Sequence, residues 1–480
     1  MRVYATQMRR LFHAITIQSL FSKRQQPPLR ASQLNSFSLL QSCNSLIHLL
    51  QIQAQILKLG LHCNPLILTK FTSKSSDLDS IDYASSFLFS PEADTRCYDT
   101  FLYNTVIRGF AKTSDLKHCA LNVYCFMVKN GVLPNNFTYP FVLKACGGVG
   151  DLKLGKQVHG SVLKLGFDGD LHVGNTMVHM YGCCEGGIEG ARKVFDEMPE
   201  RNSVSWSAVI GVYMRSGLSV DAVELFRQMQ VAKVCPDEFT MVIVVSACGD
   251  LSDLELGNWA ASIIESKQIR KSVELFNSLI NMFMKCGDVE KAMSIFRDMK
   301  EKDIVSWTSV LSGLGMHGHG MEAVSFFEEM IKDGVNPDDT AFVSVLNACS
   351  HSGLVDQGRY YFKSMMNYGL TPKMKHYGCI VDLLCRAGLV KEALKFVESM
   401  PIEPNSIILR TLINSYNGQG EVKLNEVLTE RLIGNDLMHE ADYVILSNIY
   451  AKLSIWENKY TIRELMDRKG INKTPGCTMV

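Results

Sequence analysis

The residues that decide the fold are Ala191-Arg-Lys-Val-Phe-Asp-Glu-Met-Pro-Glu200. On a helix, Ala191 and Phe195 share one face, where the small residue lets a partner helix approach and the aromatic ring fills the remaining space. The alanine and aromatic pair recurs at alternating steps of 31 and 70 residues, at Ala222/Phe226, Ala292/Phe296, Ala323/Phe327 and, with one residue fewer, Ala393/Phe396. We interpret these residues as packing positions of a repeated helical unit.

A longer repeat, of 101 or 102 residues, encloses these shorter steps. Ala-Cys occurs at Ala145-Cys146, Ala247-Cys248 and Ala348-Cys349, with cysteine spacings of 102 and 101, and Ser205-Trp206 recurs as Ser306-Trp307. Both periods fit units of about 35, 35 and 31 residues, each reading as two amphipathic helices joined at a Gly break. The sequence therefore predicts an all-α fold, an α-solenoid superhelix of stacked helix-turn-helix repeats, each buried against its neighbours.

Composition narrows the class of protein. With 480 residues, 46% hydrophobic and 20% charged, the chain is not disordered throughout, and no apolar run approaches the roughly 18 residues that span a bilayer. Fifteen cysteines without a secretory leader indicate reduced, buried thiols. The 49 basic and 49 acidic residues balance overall, but residues 1–76 hold nine Lys or Arg and no acid, so the remaining 404 carry a net charge of −9.

The N-terminus resembles a targeting segment. Residues 1–30 hold five Arg, one Lys and no acid, with Met8, Leu11, Phe12 and Ile15 at helical spacing. This pattern is typical of an organelle transit peptide, with a disordered basic tail as the alternative. Because Arg dominates and serines are few, we expect a mitochondrial location, with the chloroplast as the alternative.

The units resemble pentatricopeptide repeats, and their alternating lengths resemble the plant P-L-S subfamily. Ala191–Glu200 is close to the family's form, and Gly155-Lys-Gln-Val-His-Gly160 is typical of its L units. P units are assigned to 100–135, 203–237 and 304–338, L units to 136–170, 238–272 and 339–373, and S units to 171–202, 273–303 and 374–405. Residues 33–99 look like a degenerate L and S pair. Residues 406–480 resemble the E-type extension, through Ser447-Asn-Ile-Tyr-Ala451 and Pro475-Gly-Cys-Thr-Met-Val480.

The resemblance implies that the fifth and last residues of a unit face a concave groove and together read one unpaired RNA base. The P and S pairs are Asn104 with Asn135, Asn175 with Asn202, Ser207 with Asp237, Asn277 with Asp303, and Thr308 with Asp338. The last residues Asp170, Ser272, Lys373 and Asn405 are weaker RNA candidates, because Pro140, Val242, Val343 and Gly378 stand at the fifth position. The family's pattern then gives the target 5′-pyrimidine, any, pyrimidine, G, any, U, G and two weakly read bases, or roughly one site in 256. A single Asn or Asp at these positions could instead be a turn or helix cap.

Catalytic motifs are missing from the sequence. Relatives with a C-terminal DYW deaminase domain need His-x-Glu and Cys-x-x-Cys, and neither spacing occurs here. Gly313-Leu-Gly-Met-His-Gly318 matches the dinucleotide fingerprint, but it follows a helical segment, and we expect it to be a break between helices. We therefore predict no catalytic residues, no cofactor and no metal.

The resulting hypothesis is a non-enzymatic, sequence-specific RNA-binding protein. The E-type extension resembles that of site-recognition factors for organellar C-to-U RNA editing, which implies that residues 406–480 recruit a deaminase or accessory editing protein in trans. The acidic body predicts modest RNA affinity. The alternatives are a helical-repeat scaffold that binds proteins, and an organellar RNA stabilisation or splicing factor.

Overall fold

The computed structural model describes residues 29–90, 93, 95–113, 115–416, 443–444, 447, 450–451 and 456–468. Within these residues the chain forms α-helices and two short 3₁₀ turns, Thr95–Cys97 and Met365–Tyr368. It divides into two compact units, Met1–Pro236 and Asp237–Val480. The predicted transit peptide lies outside the described residues, apart from its last two positions, and so does most of the predicted E-type extension.

The first unit contains twelve described helices. They are α1 (Leu29–Ser42), α2 (Leu46–Lys58), α3 (Pro65–Asp77), α4 (Ile81–Leu88), α5 (Thr100–Lys112), α6 (Lys117–Lys129), α7 (Tyr139–Val149), α8 (Leu152–Lys164), α9 (Leu171–Gly182), α10 (Ile188–Glu197), α11 (Ser203–Arg215) and α12 (Ser219–Val231).

Twelve more helices are described in the second unit. They are α13 (Glu238–Leu251), α14 (Leu254–Ser266), α15 (Val273–Lys285), α16 (Val289–Asp298), α17 (Ile304–Met316), α18 (Gly320–Lys332), α19 (Asp339–Ser352), α20 (Val355–Ser364), α21 (Met374–Arg386), α22 (Val390–Glu398), α23 (Ser406–Tyr416) and α24 (Trp456–Arg468).

Within each unit the helices form stacked hairpins. In the first unit, α5, α7, α9 and α11 pack each against the next, and α6, α8 and α10 each pack between the first helix of their own hairpin and that of the following one. In the second unit, α13, α15, α17, α19 and α21 repeat this arrangement. A hairpin thus buries its apolar face only against its neighbours, and the predicted all-α solenoid is confirmed.

Capping residues determine where the first helices begin. The Oδ1 of Asn202 accepts from the backbone N–H of Ser205 at 3.0 Å, and the Oδ1 of Asp303 accepts from that of Ser306 at 2.8 Å. Each serine hydroxyl in turn accepts from the backbone N–H of its capping residue at 3.2 Å. These reciprocal capping boxes satisfy two otherwise unpaired N–H groups at each helix start.

The repeating sequence markers are core residues. Ala191 is fully buried, and the Phe195 ring lies edge-on against Trp206, with ring centroids 4.8 Å apart. One long period later, Phe296 meets Trp307 in the same way at 4.9 Å. Burying such side chains stabilises the fold by roughly 1.5–3 kcal/mol each, which explains why these residues recur at fixed positions.

Glycine ends many first helices at the turn into the second. Gly217 and Gly287 have φ of 73° and 85°, in the left-handed region that a Cβ disfavours. The glycine fingerprint at 313–318 differs from its predicted place, because Gly313 and Gly315 lie buried inside α17 and only the end of the motif forms the break. A Cβ on Gly315 would lie 3.2 Å from the Cα of Ala348, so this glycine permits close packing of α17 on α19.

All fourteen cysteines in the described part of the chain are free thiols, and seven are buried. Burial raises the pKa of the Cys146, Cys349 and Cys379 thiols to about 12, which makes them poor nucleophiles at neutral pH. No described helix is both long and apolar enough to cross a bilayer.

Candidate nucleic-acid interface

The last residue of a repeat lies where the next hairpin begins. Asn202, Asp237, Asp303 and Asp338 are the N-caps of α11, α13, α17 and α19, and each side chain accepts a backbone N–H. Asn135 accepts from the N–H groups of Phe137 and Thr138 at 3.1 Å, just before α7. The weaker candidates occupy the same place: Asp170 and Ser272 cap α9 and α15, Lys373 is the N-cap residue of α21, and Asn405 accepts from the N–H of Ile408 at 3.1 Å. Helix capping and the predicted base reading therefore fall on the same side chain.

The fifth residues of the P and S pairs are buried. Their exposed fractions are 8% for Asn104, 9% for Asn175, 4% for Ser207, 8% for Asn277 and 7% for Thr308. The last residues are more accessible, since Asn202 and Asp303 are exposed while Asn135, Asp237 and Asp338 are half-buried. Each pair thus combines one fixed, buried side chain with one that solvent reaches.

Hydrogen bonds join the fifth and last side chains in three of the predicted pairs. In each, the Asn amide Nδ2 donates to an Oδ1 atom: Asn104 to Asn135 at 3.1 Å, Asn175 to Asn202 at 3.5 Å, and Asn277 to Asp303 at 3.1 Å. The structure therefore brings together residues 26 to 31 positions apart in the sequence.

The amide oxygens of these asparagines differ in their partners. Oδ1 of Asn104 accepts from the Thr138 hydroxyl at 2.7 Å. Oδ1 of Asn175 and Oδ1 of Asn277 are buried without a hydrogen-bond partner. An unpaired buried acceptor costs about 1–3 kcal/mol, so each of these two units carries an unsatisfied amide oxygen.

The Ser and Thr pairs are arranged differently. Ser207 donates its hydroxyl to the Ser203 carbonyl at 2.5 Å, and Thr308 donates to the Val305 carbonyl at 3.1 Å, so both are fixed by their own helix. Oδ1 of Asp338 accepts from the N–H of Ala341 at 2.8 Å. Ser207 lies in the first compact unit, and Asp237 is the first residue of the second.

The L units direct their last side chain elsewhere. Oδ1 of Asp170 caps α9, and its Oδ2 accepts from the Asn136 amide at 3.2 Å. Lys373 forms an ion pair with Asp339, the first residue of its own unit. Both oxygens of Asp170 and the Lys373 ammonium are therefore engaged within the repeat.

The carboxylate of Asp303 is stabilised in its charged form. Burial by itself would raise the pKa of Asp303, but the Ser306 backbone N–H, the Ser306 hydroxyl and the Asn277 amide together lower it below its usual value. Asp303 is therefore ionised at neutral pH and acts only as a hydrogen-bond acceptor.

Comparison with known proteins supports the repeat assignment. The model described as PPR repeat family matches residues 98–148, 201–250 and 302–351, models described as PPR repeat match 274–304, 340–370 and 368–401, and the model of the E motif matches 419–480. A pentatricopeptide repeat-containing protein of Arabidopsis thaliana, named chloroplastic/mitochondrial, is 38% identical over 462 residues, covering 92% of this chain and 72% of the relative. The chain belongs to the pentatricopeptide repeat family.

Other relatives agree with this assignment. A putative pentatricopeptide repeat-containing protein of the same plant, named chloroplastic, is 38% identical over 475 residues and covers 92% of this chain and 86% of the relative. Another, named mitochondrial, is 39% identical over 378 residues and covers 78% and 80%. The crystal structure of the maize protein PPR10 superposes with a TM-score of 0.58 at 17% identity, over 94% of this chain and 75% of that one, which shows the same fold.

The sequence-based assignment missed the second residue of each pentatricopeptide repeat. This position holds large, exposed apolar side chains in six units: Phe101 (63%), Phe137 (67%), Val204 (53%), Phe239 (66%), Val305 (50%) and Ile407 (60%). Phe137 precedes α7, but where both residues lie on the first helix, the second and fifth residues are three apart and so are neighbours on its surface. The available signal was the recurrence of apolar residues at a unit position whose helical phase points away from the core.

Cations end several first helices of the repeats. Lys112, Arg215, Lys285 and Arg386 are the last residues of α5, α11, α15 and α21. Lys285 pairs with Asp250 at 2.7 Å and Arg386 with Asp382 at 2.8 Å. Within the described ranges, no group of three or more His, Cys, Asp or Glu is placed to hold a metal ion.

Proposed function

We propose that this chain binds single-stranded RNA, with each P and S unit reading one base through its fifth and last residues. The supporting observation is the repeated hydrogen-bonded pair of Asn104 with Asn135, Asn175 with Asn202 and Asn277 with Asp303. A buried amide fixed beside an exposed cap presents polar groups in a constant geometry from unit to unit. Modular helical repeats can read one base each by this means.

The chemistry of the pairs favours particular bases. Asp303 offers only acceptors, so the unit suits a base that presents an N–H donor. The imide N–H of uracil is such a donor, which agrees with uracil at this position. In the Asn175 unit the partner Asn202 can donate or accept, so either pyrimidine fits.

Exposed apolar residues would supply the stacking energy. In the P units, the base would lie against the second-position side chain, Phe101, Val204 or Val305, while its edge meets the fifth and last residues. Stacking on such a side chain contributes about 1–3 kcal/mol per base without regard to sequence. A crystal structure of PPR10 in complex with an 18-nt psaJ RNA element, with a TM-score of 0.50 to this chain, provides a precedent for RNA on this fold.

The net acidic body requires a local source of positive charge for the phosphates. Lys112 and Arg215 at the ends of α5 and α11 could supply it, while Lys285 and Arg386 are partly neutralised by Asp250 and Asp382. Few available cations predict a shallow dependence of affinity on salt.

In the cell, the proposed role is that of a non-enzymatic site-recognition factor for C-to-U editing of organellar RNA. The match to the E motif at 419–480 and the chloroplastic or mitochondrial names of relatives support it. Residues 406–480 would recruit a deaminase-bearing or accessory editing protein in trans. The Arg-rich residues 1–30 favour the mitochondrion as the organelle, with the chloroplast as the alternative.

A gel-shift titration at stated salt tests the RNA proposal. The chain is titrated against RNA carrying 5′-pyrimidine, any, pyrimidine, G, any, U, G and against the same RNA with both guanines changed. We expect the first RNA to bind tighter by about 1–3 kcal/mol per changed base. Equal binding would contradict base reading, and absent binding would favour the protein-scaffold alternative.

The editing role is tested separately in plants that lack the gene. We expect one or a few organellar cytidines to stay unedited, each downstream of the predicted pattern, while their transcripts remain spliced and abundant. Normal editing with a lost or unspliced transcript would instead indicate RNA stabilisation or splicing.

A further inference from the structure

A side-chain contact joins the second helix of an L unit to the second helix of the following S unit. In the compact unit Asp237–Val480, the fifth residue of the L-unit helix contacts the third residue of the S-unit helix. Lys291 on α16 donates to Oδ1 of Asn258 on α14 at 2.5 Å, and Arg359 on α20 forms an ion pair with Glu392 on α22. These two contacts bridge the space between the helices.

The remaining L–S junction of residues 100–405, between α8 and α10, lacks the bridging residue. Lys156 is the fifth residue of α8, but the third residue of α10 is Gly190. A cavity of about 470 Å³ opens at this place. Its walls include Lys156, His159, Tyr181, Glu189, Lys193 and Glu197.

The floor of the cavity is held by packed side chains. Nδ1 of His159 lies 2.9 Å from the Tyr181 hydroxyl, and the two rings meet edge-on with centroids 5.7 Å apart. A Cβ on Gly190 would lie 2.6 Å from the Tyr181 ring, so the glycine is needed for this packing. Burial lowers the pKa of His159 and raises that of Tyr181, so both are uncharged at neutral pH.

The cavity walls carry two cations, Lys156 and Lys193, and two carboxylates, Glu189 and Glu197. The helix α8 carries Lys153, Lys156 and Lys164 and no acid, whereas its counterpart α14 carries Glu255 and Glu265 and no cation. On the opposite wall, Lys193 lies 3.8 Å from Glu197 and partly neutralises it. Among the described residues, Lys156 forms no ion pair.

We propose that this cavity docks an acidic side chain of a partner protein, with its carboxylate on Lys156. The junction between α20 and α22 indicates the occupant. There the chain itself pairs the Glu392 carboxylate with Arg359 at the same two helix positions. Gly160 on the wall has nothing within 4 Å of where a Cβ would lie, which leaves room for the backbone that carries such a side chain. This surface is distinct from residues 406–480, so the chain would hold two separate partner sites.

Fluorescence anisotropy with a labelled hexaglutamate peptide tests the proposal on the full chain at low salt. We expect Lys156→Gln to weaken binding by at least about tenfold, since a charge-assisted pair is lost. Lys156→Arg should bind like the unsubstituted chain, because an arginine, Arg359, occupies the same position in the junction between α20 and α22. The control is Lys153→Gln, on the same exposed helix but outside the cavity, which should change binding by less than about twofold.

Each other result overturns the proposal. If the unsubstituted chain does not bind the peptide, or if Lys153→Gln weakens binding as much as Lys156→Gln, the cavity is not a carboxylate site. The formal net charge of +0 includes nine cations and no acid in residues 1–76, which attract the peptide equally in every variant, so the comparison of Lys156→Gln with Lys153→Gln isolates the cavity. If an 18-nucleotide RNA binds with the same dependence on Lys156 and displaces the peptide, the occupant is a phosphate, and the protein-partner assignment fails.

Discussion

Replacing Asp303 separates helix capping from base reading. Its Oδ1 accepts three hydrogen bonds, from the Ser306 N–H at 2.8 Å, the Ser306 hydroxyl at 2.9 Å and the Asn277 amide at 3.1 Å. Asp303→Ala removes an N-cap worth about 1 kcal/mol. It also leaves the buried Asn277 amide without a partner, which costs a further 1–3 kcal/mol or so. We therefore expect the free energy of unfolding to fall by about 2–4 kcal/mol.

Asp303→Asn keeps the Oδ1 acceptor, removes the charge and replaces the Oδ2 acceptor with an amide N–H donor. Its stability should stay within about 0.5 kcal/mol of the unsubstituted chain, but its base preference should change. By the family's pattern, the Asn277 unit would then read either pyrimidine instead of uracil alone. The expected result is equal binding of RNAs with U or C at the sixth position of the target.

The measurements are urea unfolding followed by circular dichroism and gel shifts with the U and C RNAs at one salt concentration. The matched control is Asp288→Ala, which removes the N-cap of α16, where the side chain accepts from Lys291 N–H at 3.0 Å, away from any reading position. It should lower stability by about 1 kcal/mol and leave the U and C preference intact. If Asp303→Asn still prefers U as strongly as the unsubstituted chain, Asp303 is a helix cap and the reading assignment is refuted.

Four further outcomes follow. Phe101→Ala should weaken RNA binding by about 1–3 kcal/mol in gel shifts while leaving the urea midpoint unchanged, because the ring is 63% exposed; a stability loss without an RNA effect would refute stacking. Asp338→Asn should shift the preferred base of its unit from guanine toward adenine, measured with the two RNAs, and equal binding by both proteins to both RNAs would contradict the code. Since hydrogen bonds hold the Asp303 pKa low, its stabilising effect should be present above about pH 4 and lost as pH falls through the lowered pKa, whereas Asp303→Asn should lose less stability there. Gly315→Ala should destabilise by about 1–3 kcal/mol, but Gly160→Ala, with nothing within 4 Å of its Cβ, should gain up to about 1 kcal/mol in urea unfolding.

Periodicity was enough to predict the fold because each repeat must bury the same apolar face against its neighbours. Ala191 and Phe195 recur wherever a helix meets the next hairpin, and the structure buries both. The glycine fingerprint was misplaced for a related reason. Position 315 requires glycine because the Ala348 backbone of a neighbouring helix lies too close for a larger residue. Local sequence does not reveal this contact between helices.

The sequence could assign the candidate pairs by their position in each unit, but it could not show their burial or their hydrogen bonds. Nothing in the sequence indicates that Asn277 is buried and bonded to Asp303, since that contact spans 26 residues and depends on how the hairpins stack. The exposed second residues, such as Phe101, were overlooked because an apolar residue near a helix start is usually assigned to the core. The cavity at Gly190 was equally invisible, since it appears only when three equivalent junctions are compared.

The double use of one side chain would explain why the proposed base reading is confined to some units. A cap needs only one oxygen, so Asp303 and Asp338 can stabilise a helix through Oδ1 while Oδ2 takes no part in those capping bonds. In the L unit, Asn136 engages the second oxygen of Asp170, and a buried proline stands at the fifth position. An RNA base would have to break that hydrogen bond before it could bind Asp170, at a cost of about 0.5–1.5 kcal/mol. Substituting Asn136 by Ala should therefore remove this competition without touching the cap of α9, and it should give the second base of the target an influence on affinity that the unsubstituted chain lacks.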